Sequence, residues 1–130
     1  KLYNELTAPA RSLGEAFQKV NFLRDLKDDY EERGRVYFPE VDFSNFTENS
    51  KRSIEQDIQN DIDKSLVGIK KLPNEAKLGV YIAYRYYGAL LRRIKRTKTS
   101  KITTQRIRVP DAIKFLIRVR SWIDVKFRLI

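Results

Sequence analysis

The chain has no cysteine, no histidine and no methionine. Without cysteine there is no thiol nucleophile, no disulfide and no thiolate metal site. Without histidine there is no Ser-His-Asp triad and no Cys/His zinc centre. Any metal must therefore be held by oxygen. Without methionine the chain does not begin at a start codon as written, and the expectation is a processed product or a piece of something longer. No run of 18 apolar residues occurs, so no segment is expected to span a bilayer as a helix. No apolar stretch of the signal-peptide kind follows Lys1, and the expected location is cytoplasmic. Only five glycines and four prolines punctuate 130 residues, which favours a few long elements over many short ones.

Negative charge is missing from one segment. From Ala76 to Pro110 there is no Asp or Glu, while Lys77, Arg85, Arg92, Arg93, Lys95, Arg96, Lys98, Lys101, Arg106 and Arg108 are all cationic. Acids and bases balance elsewhere, so this block carries the whole net charge of +10. Such a block suits an anionic partner: a diphosphate, an acidic lipid headgroup or a nucleic acid. The other reading is a solvated helix end followed by a basic loop.

Apolar residues make up 42% of the chain, enough for one globular core, and a single domain spanning 1–130 is expected. The periodicity predicts an all-α antiparallel bundle of about four helices. The first is expected over Leu6 to Glu32, with Thr7 as cap, Pro9 in the first turn and Gly34 as a left-handed stop. Arg35 to Pro39 reads as extended, with a loop through Asp42 to Asn45. A second helix opens after Thr47 or Asn49. Ile54, Ile58, Ile62, Leu66 and Ile69 form its inner stripe, and Glu55, Asp57, Asp61 and Asp63 its outer face. Leu72-Pro73 ends it. The third runs from Pro73 through Ile94, a basic loop covers Lys95 to Val109, and the last helix starts near Pro110-Asp111.

Chemistry is concentrated on the first helix. Asn21, Asp25 and Asp29 recur every four residues, which on a helix keeps three oxygen side chains on one face with about 40° of drift per step. Gln18 lies one turn earlier on nearly the same face. Hard oxygen ligands suit Mg²⁺. Val20, Phe22, Leu23 and Leu26 surround them, so part of this helix should be buried, where carboxylates need a metal or a cation. The competing reading is a solvated polar stripe.

The run Leu13 to Asp29, followed by Arg33 to Pro39, resembles the second aspartate-rich motif of the squalene/phytoene synthase family. That pattern is a Gln, then Asn-x-x-Arg-Asp-x-x-x-Asp, then Gly-Arg-x-Tyr-x-Pro. Gln18, Asn21, Arg24, Asp25, Asp29, Gly34, Arg35, Tyr37 and Pro39 fill every position. Leu72-Pro73, the tyrosine-rich third helix and Arg106 to Pro110 fit more loosely, and the resemblance covers nearly the whole chain. The family's bundle is about twice this length and carries two aspartate-rich walls around one cavity. Only the second has a counterpart here. Asp57 and Asp61 have the spacing of the first but the wrong position and neighbours.

The resemblance implies head-to-head condensation of two prenyl diphosphates, farnesyl or geranylgeranyl, to a squalene- or phytoene-type hydrocarbon of isoprenoid and carotenoid biosynthesis. Mg²⁺ would be the cofactor, with NADPH only for a squalene-type product. Asn21, Asp25 and Asp29 would be the catalytic metal ligands. Gln18, Arg24, Arg35, Tyr87 and Arg106 would line the cavity or meet diphosphate. A structural ion pair at Arg24 and core packing at Tyr87 remain open alternatives. This chain alone is expected to be inactive. An apolar product would bring the protein into peripheral contact with a membrane surface. Half a bundle would expose apolar faces and drive homo-oligomerisation. The reading from a different class is a basic helical nucleic-acid-binding or oligomerisation module. No helix-turn-helix accompanies the basic block, so no nucleic acid is expected.

Overall fold

The computed structural model describes residues 2–24, 38–41, 46–102 and 107–130, with side chains from Leu6 onward. Among them are five helices and no strand: α1 (Leu2–Arg24), α2 (Glu48–Lys70), α3 (Asn74–Arg96), α4 (Thr99–Ile102) and α5 (Asp111–Lys126). The all-α expectation holds. The expected continuation of α1 to Glu32 and its stop at Gly34 lie outside the described residues.

Helix α1 begins before the expected start. Thr7 is not its cap and Pro9 is not in its first turn; both lie inside a helix that already runs from Leu2. A proline there removes one backbone hydrogen bond and crowds the carbonyl four residues back. Packing accounts for its position. The ring sits on α2 at Gly68, where an added Cβ would lie only 2.5 Å from Pro9 Cβ. Glycine on α2 lets the two helices close on each other at this level.

Thr47 caps α2: its backbone is extended and its hydroxyl accepts from Ser50 N at 3.1 Å. Ile54, Ile58, Ile62 and Ile69 of the predicted stripe are all buried, each contributing roughly 1.5–3 kcal/mol. Ile54, Ile58 and Ile62 meet Val20 and Leu23 of α1 and Leu90, Leu91 and Ile94 of α3 in the main core, while Ile69 packs with Tyr81 and Val125 in a second cluster. The outer face differs from expectation. Glu55 is buried, because Lys51 is buried too and places its Nζ 2.6 Å from Glu55 Oε2. The Lys51 ammonium also donates to the Lys95 carbonyl at 3.3 Å, tying α2 to the end of α3.

The segment read as a basic loop contains the single-turn α4. Its amides at Lys101 and Ile102 bond back to Lys98 O, and Ile102 is fully buried. Glu48, at the start of α2, accepts from both the backbone amide and the hydroxyl of Thr99. Those bonds hold the Glu48 carboxyl below its ordinary range.

Helix α5 packs on α3 through Ile117, Ser121, Asp124 and Val125. The buried Asp124 carboxylate accepts from Tyr81 Oη at 3.1 Å, Arg85 at 3.4 Å and Arg120 at 3.1 Å. The helix ends in a Schellman turn. Leu129 N bonds Asp124 O at 2.7 Å and Arg128 N bonds Val125 O at 3.2 Å. Arg128 occupies the left-handed position of that turn with φ 55°, where glycine is usual.

Candidate functional site

At 100° per residue, Leu6, Ala10, Leu13, Gly14, Phe17 and Asn21 fall within a sector of about 100° on α1, with Gln18 at its margin. The first five line an apolar groove of about 330 Å³. Its far wall is Ser65, Gly68, Ile69, Leu72 and Val80. Ser65 adds no polarity, because its hydroxyl donates to Ile62 O at 2.6 Å on its own helix. A volume of this size lies at the lower end for a small-molecule site.

The ring of Phe17 bounds this groove and stacks on Tyr87 of α3, with centroids 4.2 Å apart and planes 21° apart. Tyr86 meets Tyr87 edge-on at 5.2 Å. Tyr87 is therefore part of an aromatic partition between α1 and α3, beside the predicted polar residues. Tyr84 lies near it on α3. Burial, and then the charge of Asp63, push its phenol pKa up, so at neutral pH it stays an uncharged hydroxyl.

One turn beyond Phe17 stands Asn21. Its Oδ1 is buried and accepts no hydrogen bond from any described residue. A buried carbonyl oxygen left without a donor costs about 1–3 kcal/mol. Such an oxygen is a hard, neutral ligand of the kind Mg²⁺ takes. Gln18 is exposed and Arg24 is half-buried at the end of the described helix. Asp25, Asp29, Arg35 and Arg106 lie outside the described residues, as does the arrangement of the full ligand set. Among the described residues no group of three or more Asp or Glu is arranged to hold a metal ion.

Phe38, next to Pro39, is buried with its ring 6.1 Å from Phe22, and Lys19 Nζ lies 5.8 Å above the Phe38 ring. Phe38 thus packs on the side of α1 that carries Lys19 and Phe22.

Lys19 settles the status of the second aspartate pair. Its ammonium reaches Asp57 Oδ2 at 2.8 Å and Asp61 Oδ2 at 3.0 Å, with Glu15 at 3.8 Å. Burial pulls the lysine pKa down, but the hydrogen bonds and charges of Asp57 and Asp61 outweigh it and hold the group above its ordinary value. Asp57 and Asp61 therefore form a clamp between α1 and α2.

The basic segment is divided among separate tasks. Lys77 is buried and donates to Ile130 O at 3.4 Å, Arg85 reaches Tyr81 and Asp124, and Lys95 donates to Gln59 at 2.9 Å.

Two contributors escaped the sequence reading. Phe17 carried a usable signal, since it lies four residues before Asn21 on the same face. Lys19 carried none, because its partners lie 38 and 42 residues away.

Among the described residues no helix is long and apolar enough to cross a membrane. No curated protein and no solved structure matches the chain. A family model does, described as squalene/phytoene synthase and matching residues 4–112 of the 130. That match spans most of the sequence, so the chain belongs to the squalene/phytoene synthase family, prenyltransferases that condense prenyl diphosphates head to head.

Proposed function

We propose that this chain supplies one wall of a Mg²⁺-dependent site that condenses two farnesyl or geranylgeranyl diphosphates. The observation that carries the proposal is the buried, unpartnered Oδ1 of Asn21, one turn along α1 from the Phe17 end of an apolar groove. One face of one helix thus offers an oxygen ligand for the diphosphate end and a trough for the hydrocarbon end.

Asn21, Asp25 and Asp29 would hold the metal, whose chemistry when bound is Lewis-acid stabilisation of the departing diphosphate. The remaining tasks fall to the chain's own residues. Gln18 sits at the margin of the same face and offers an amide to diphosphate oxygens. Arg24 and Arg35 would present guanidinium groups, which match phosphate oxygens bidentately. The Phe17–Tyr87 stack and the apolar groove exclude water from the region where an allylic cation would form. No counterpart of a first aspartate-rich motif occurs in this sequence, since Asp57 and Asp61 are committed to Lys19. The chain alone is therefore expected to be inactive.

The test is incubation of the complete enzyme with labelled farnesyl or geranylgeranyl diphosphate, with and without Mg²⁺ and NADPH. The expected result is a Mg²⁺-dependent hydrocarbon that Asp25→Ala abolishes, with NADPH required only for a squalene-type product. Full turnover by Asp25→Ala, or in the absence of divalent metal, would overturn the site assignment.

A further inference from the structure

Helix α3 carries a second row of tyrosine and arginine, turned away from the Phe17–Tyr87 stack. At 100° per residue, Tyr81, Tyr84, Arg85, Gly88 and Arg92 fall within a sector of about 100°, and Tyr87 lies about 150° round the helix from the two arginines. Together with Gln59 of α2 these residues border a hollow of about 240 Å³. That is below the usual size of a site for an organic ligand and suits a small ion. Gly88 stands between the two arginines along the helix. A Cβ added there would lie 3.8 Å from Arg92 Nη1, so the Arg92 side chain folds back along the helix over the glycine, towards Arg85.

The donors around this hollow are not used up within the described residues. Arg92 makes no hydrogen bond or ion pair with any of them. Arg85 uses only Nη1, which donates to Tyr81 Oη at 3.3 Å and to Asp124 Oδ2 at 3.4 Å, and leaves Nε and Nη2 open. The Tyr84 hydroxyl has no partner there either, and its ring is fixed by stacking on Tyr81 with centroids 5.7 Å apart. Its phenol feels the positive charge of both Arg85 and Arg92, yet burial keeps it protonated and so a donor. Charge around the hollow is unequal. Arg85 and Arg92 line it, and Arg120 and Lys95 are tied to it through Asp124 and Gln59. Only two carboxylates oppose these four cations: Asp124, and Asp63, which accepts from Gln59 at 2.9 Å. The α2 rim is itself polar, since Gln56 donates to Asn60 at 3.0 Å beside the Gln59–Asp63 pair. A further helix laid over this rim would bury those amides, which disfavours a cover here.

Guanidinium nitrogens pair with phosphate oxygens two at a time, and a phenol adds a neutral donor beside them. We propose that the hollow between α2 and α3 binds a phosphate group, as inorganic phosphate or diphosphate, between the guanidiniums of Arg85 and Arg92 with the Tyr84 hydroxyl as a further donor. The protein's own cations neutralise the anion, so binding needs no divalent metal. The site is separate from the face of α1 that carries Asn21, and the assignment does not depend on the reaction proposed above.

The test is isothermal titration calorimetry of the full chain with sodium phosphate and, separately, sodium diphosphate in metal-free buffer. Saturable binding of at least one of the two is expected, with a dissociation constant below about 1 mM. Arg92→Gln should weaken it about tenfold and Tyr84→Phe about threefold. Arg92 is exposed and unpaired, so its variant should keep the circular dichroism spectrum and melting temperature of the wild type. Lys70→Gln removes an equal charge from an exposed position at the end of α2 and should leave the affinity unchanged. No saturable binding of either anion overturns the proposal. Equal weakening by Arg92→Gln and Lys70→Gln overturns it too, because it would show only general attraction to a cationic chain. Binding that appears only once Mg²⁺ is added would belong to the Asn21 face and overturns it as well.

Discussion

Replacing Lys19 by methionine keeps the side-chain length and removes only the charge that joins α1 to α2. Three carboxylates then lose their partner. Asp57 and Glu15 are about half exposed, and pairs of that kind contribute about 0–1 kcal/mol each. Asp61 differs: its side chain and that of Lys19 are 14% and 13% exposed, at 3.0 Å. Stranding a fully buried charge costs about 3–5 kcal/mol, and this half-sheltered one should cost somewhat less. The sum is a loss of roughly 2–4 kcal/mol at pH 7, or roughly 6–15 °C in melting temperature for a chain of this length. Urea and thermal unfolding followed by circular dichroism would measure it. Adding Asp57→Asn and Asp61→Asn to Lys19→Met should recover most of the loss, because of the three carboxylates only the half-exposed Glu15 is then left without its lysine. The pH dependence is signed as well. The Lys19 pKa in the folded chain lies above the ordinary 10.5, so its stabilisation is complete below about pH 10.5 and disappears as pH rises through the higher folded value. Curves for wild type and Lys19→Met should converge above it. A melting temperature within 2 °C of wild type at neutral pH would refute the clamp.

Other outcomes follow from single contacts. Gly68→Ala places a methyl 2.5 Å from the rigid Pro9 ring, and the overpacking cost of about 1–3 kcal/mol should exceed the gain of about 1 kcal/mol in helix propensity. Gly79→Ala meets nothing within 4 Å and should stabilise by about 0.5–1 kcal/mol; paired urea titrations compare the two. Asn21→Leu removes the unpartnered Oδ1 and should leave the metal-free chain equally or more stable while abolishing Mg²⁺-dependent turnover in the complete enzyme. A drop of more than about 1 kcal/mol would show that Asn21 serves the fold instead. Arg128→Gly should add about 1 kcal/mol by relieving the left-handed backbone, read as a higher urea midpoint.

What could be read from the sequence was what is local and periodic. The isoleucine stripe of α2 and the Pro73 and Pro110 boundaries depend on neighbours within a turn or two and appear as expected, and of the two starts open for α2 the structure takes Thr47. Pro9 misled because proline favours first turns, whereas here a distant glycine on α2 makes room for its ring. Helix α4 has only four residues, too few to show a period, and its anchor is Glu48, 51 residues away. Burial of Glu55 depends on Lys51 folding inward with it, a choice that the alternation of charges does not reveal. For α5 the apolar residues were plain, but periodicity alone could not say that one set faces α3 and the other faces outward. At the site, the fourfold spacing and the Gly34–Pro39 companion point to one face of α1, the face on which the buried Oδ1 of Asn21 lies. The aromatic partition of Phe17 and Tyr87 required α1 and α3 to be placed side by side.

The buried lysines turn this lysine-rich chain into a chemical clock. Amine-reactive labels modify an ammonium only when reagent can reach it. Lys51, at 2% exposure, and Lys77, at 8%, are shielded on α2 and α3 while most other lysines among the described residues stand in solvent. Brief acylation should mark those surface amines and leave these two blank. Their slow labelling then measures how often each helix opens: Lys51 for separation of α2 from α3, Lys77 for release of the chain end from α3. Peptide mass mapping of the two sites over time would yield two opening rates from one unmutated protein.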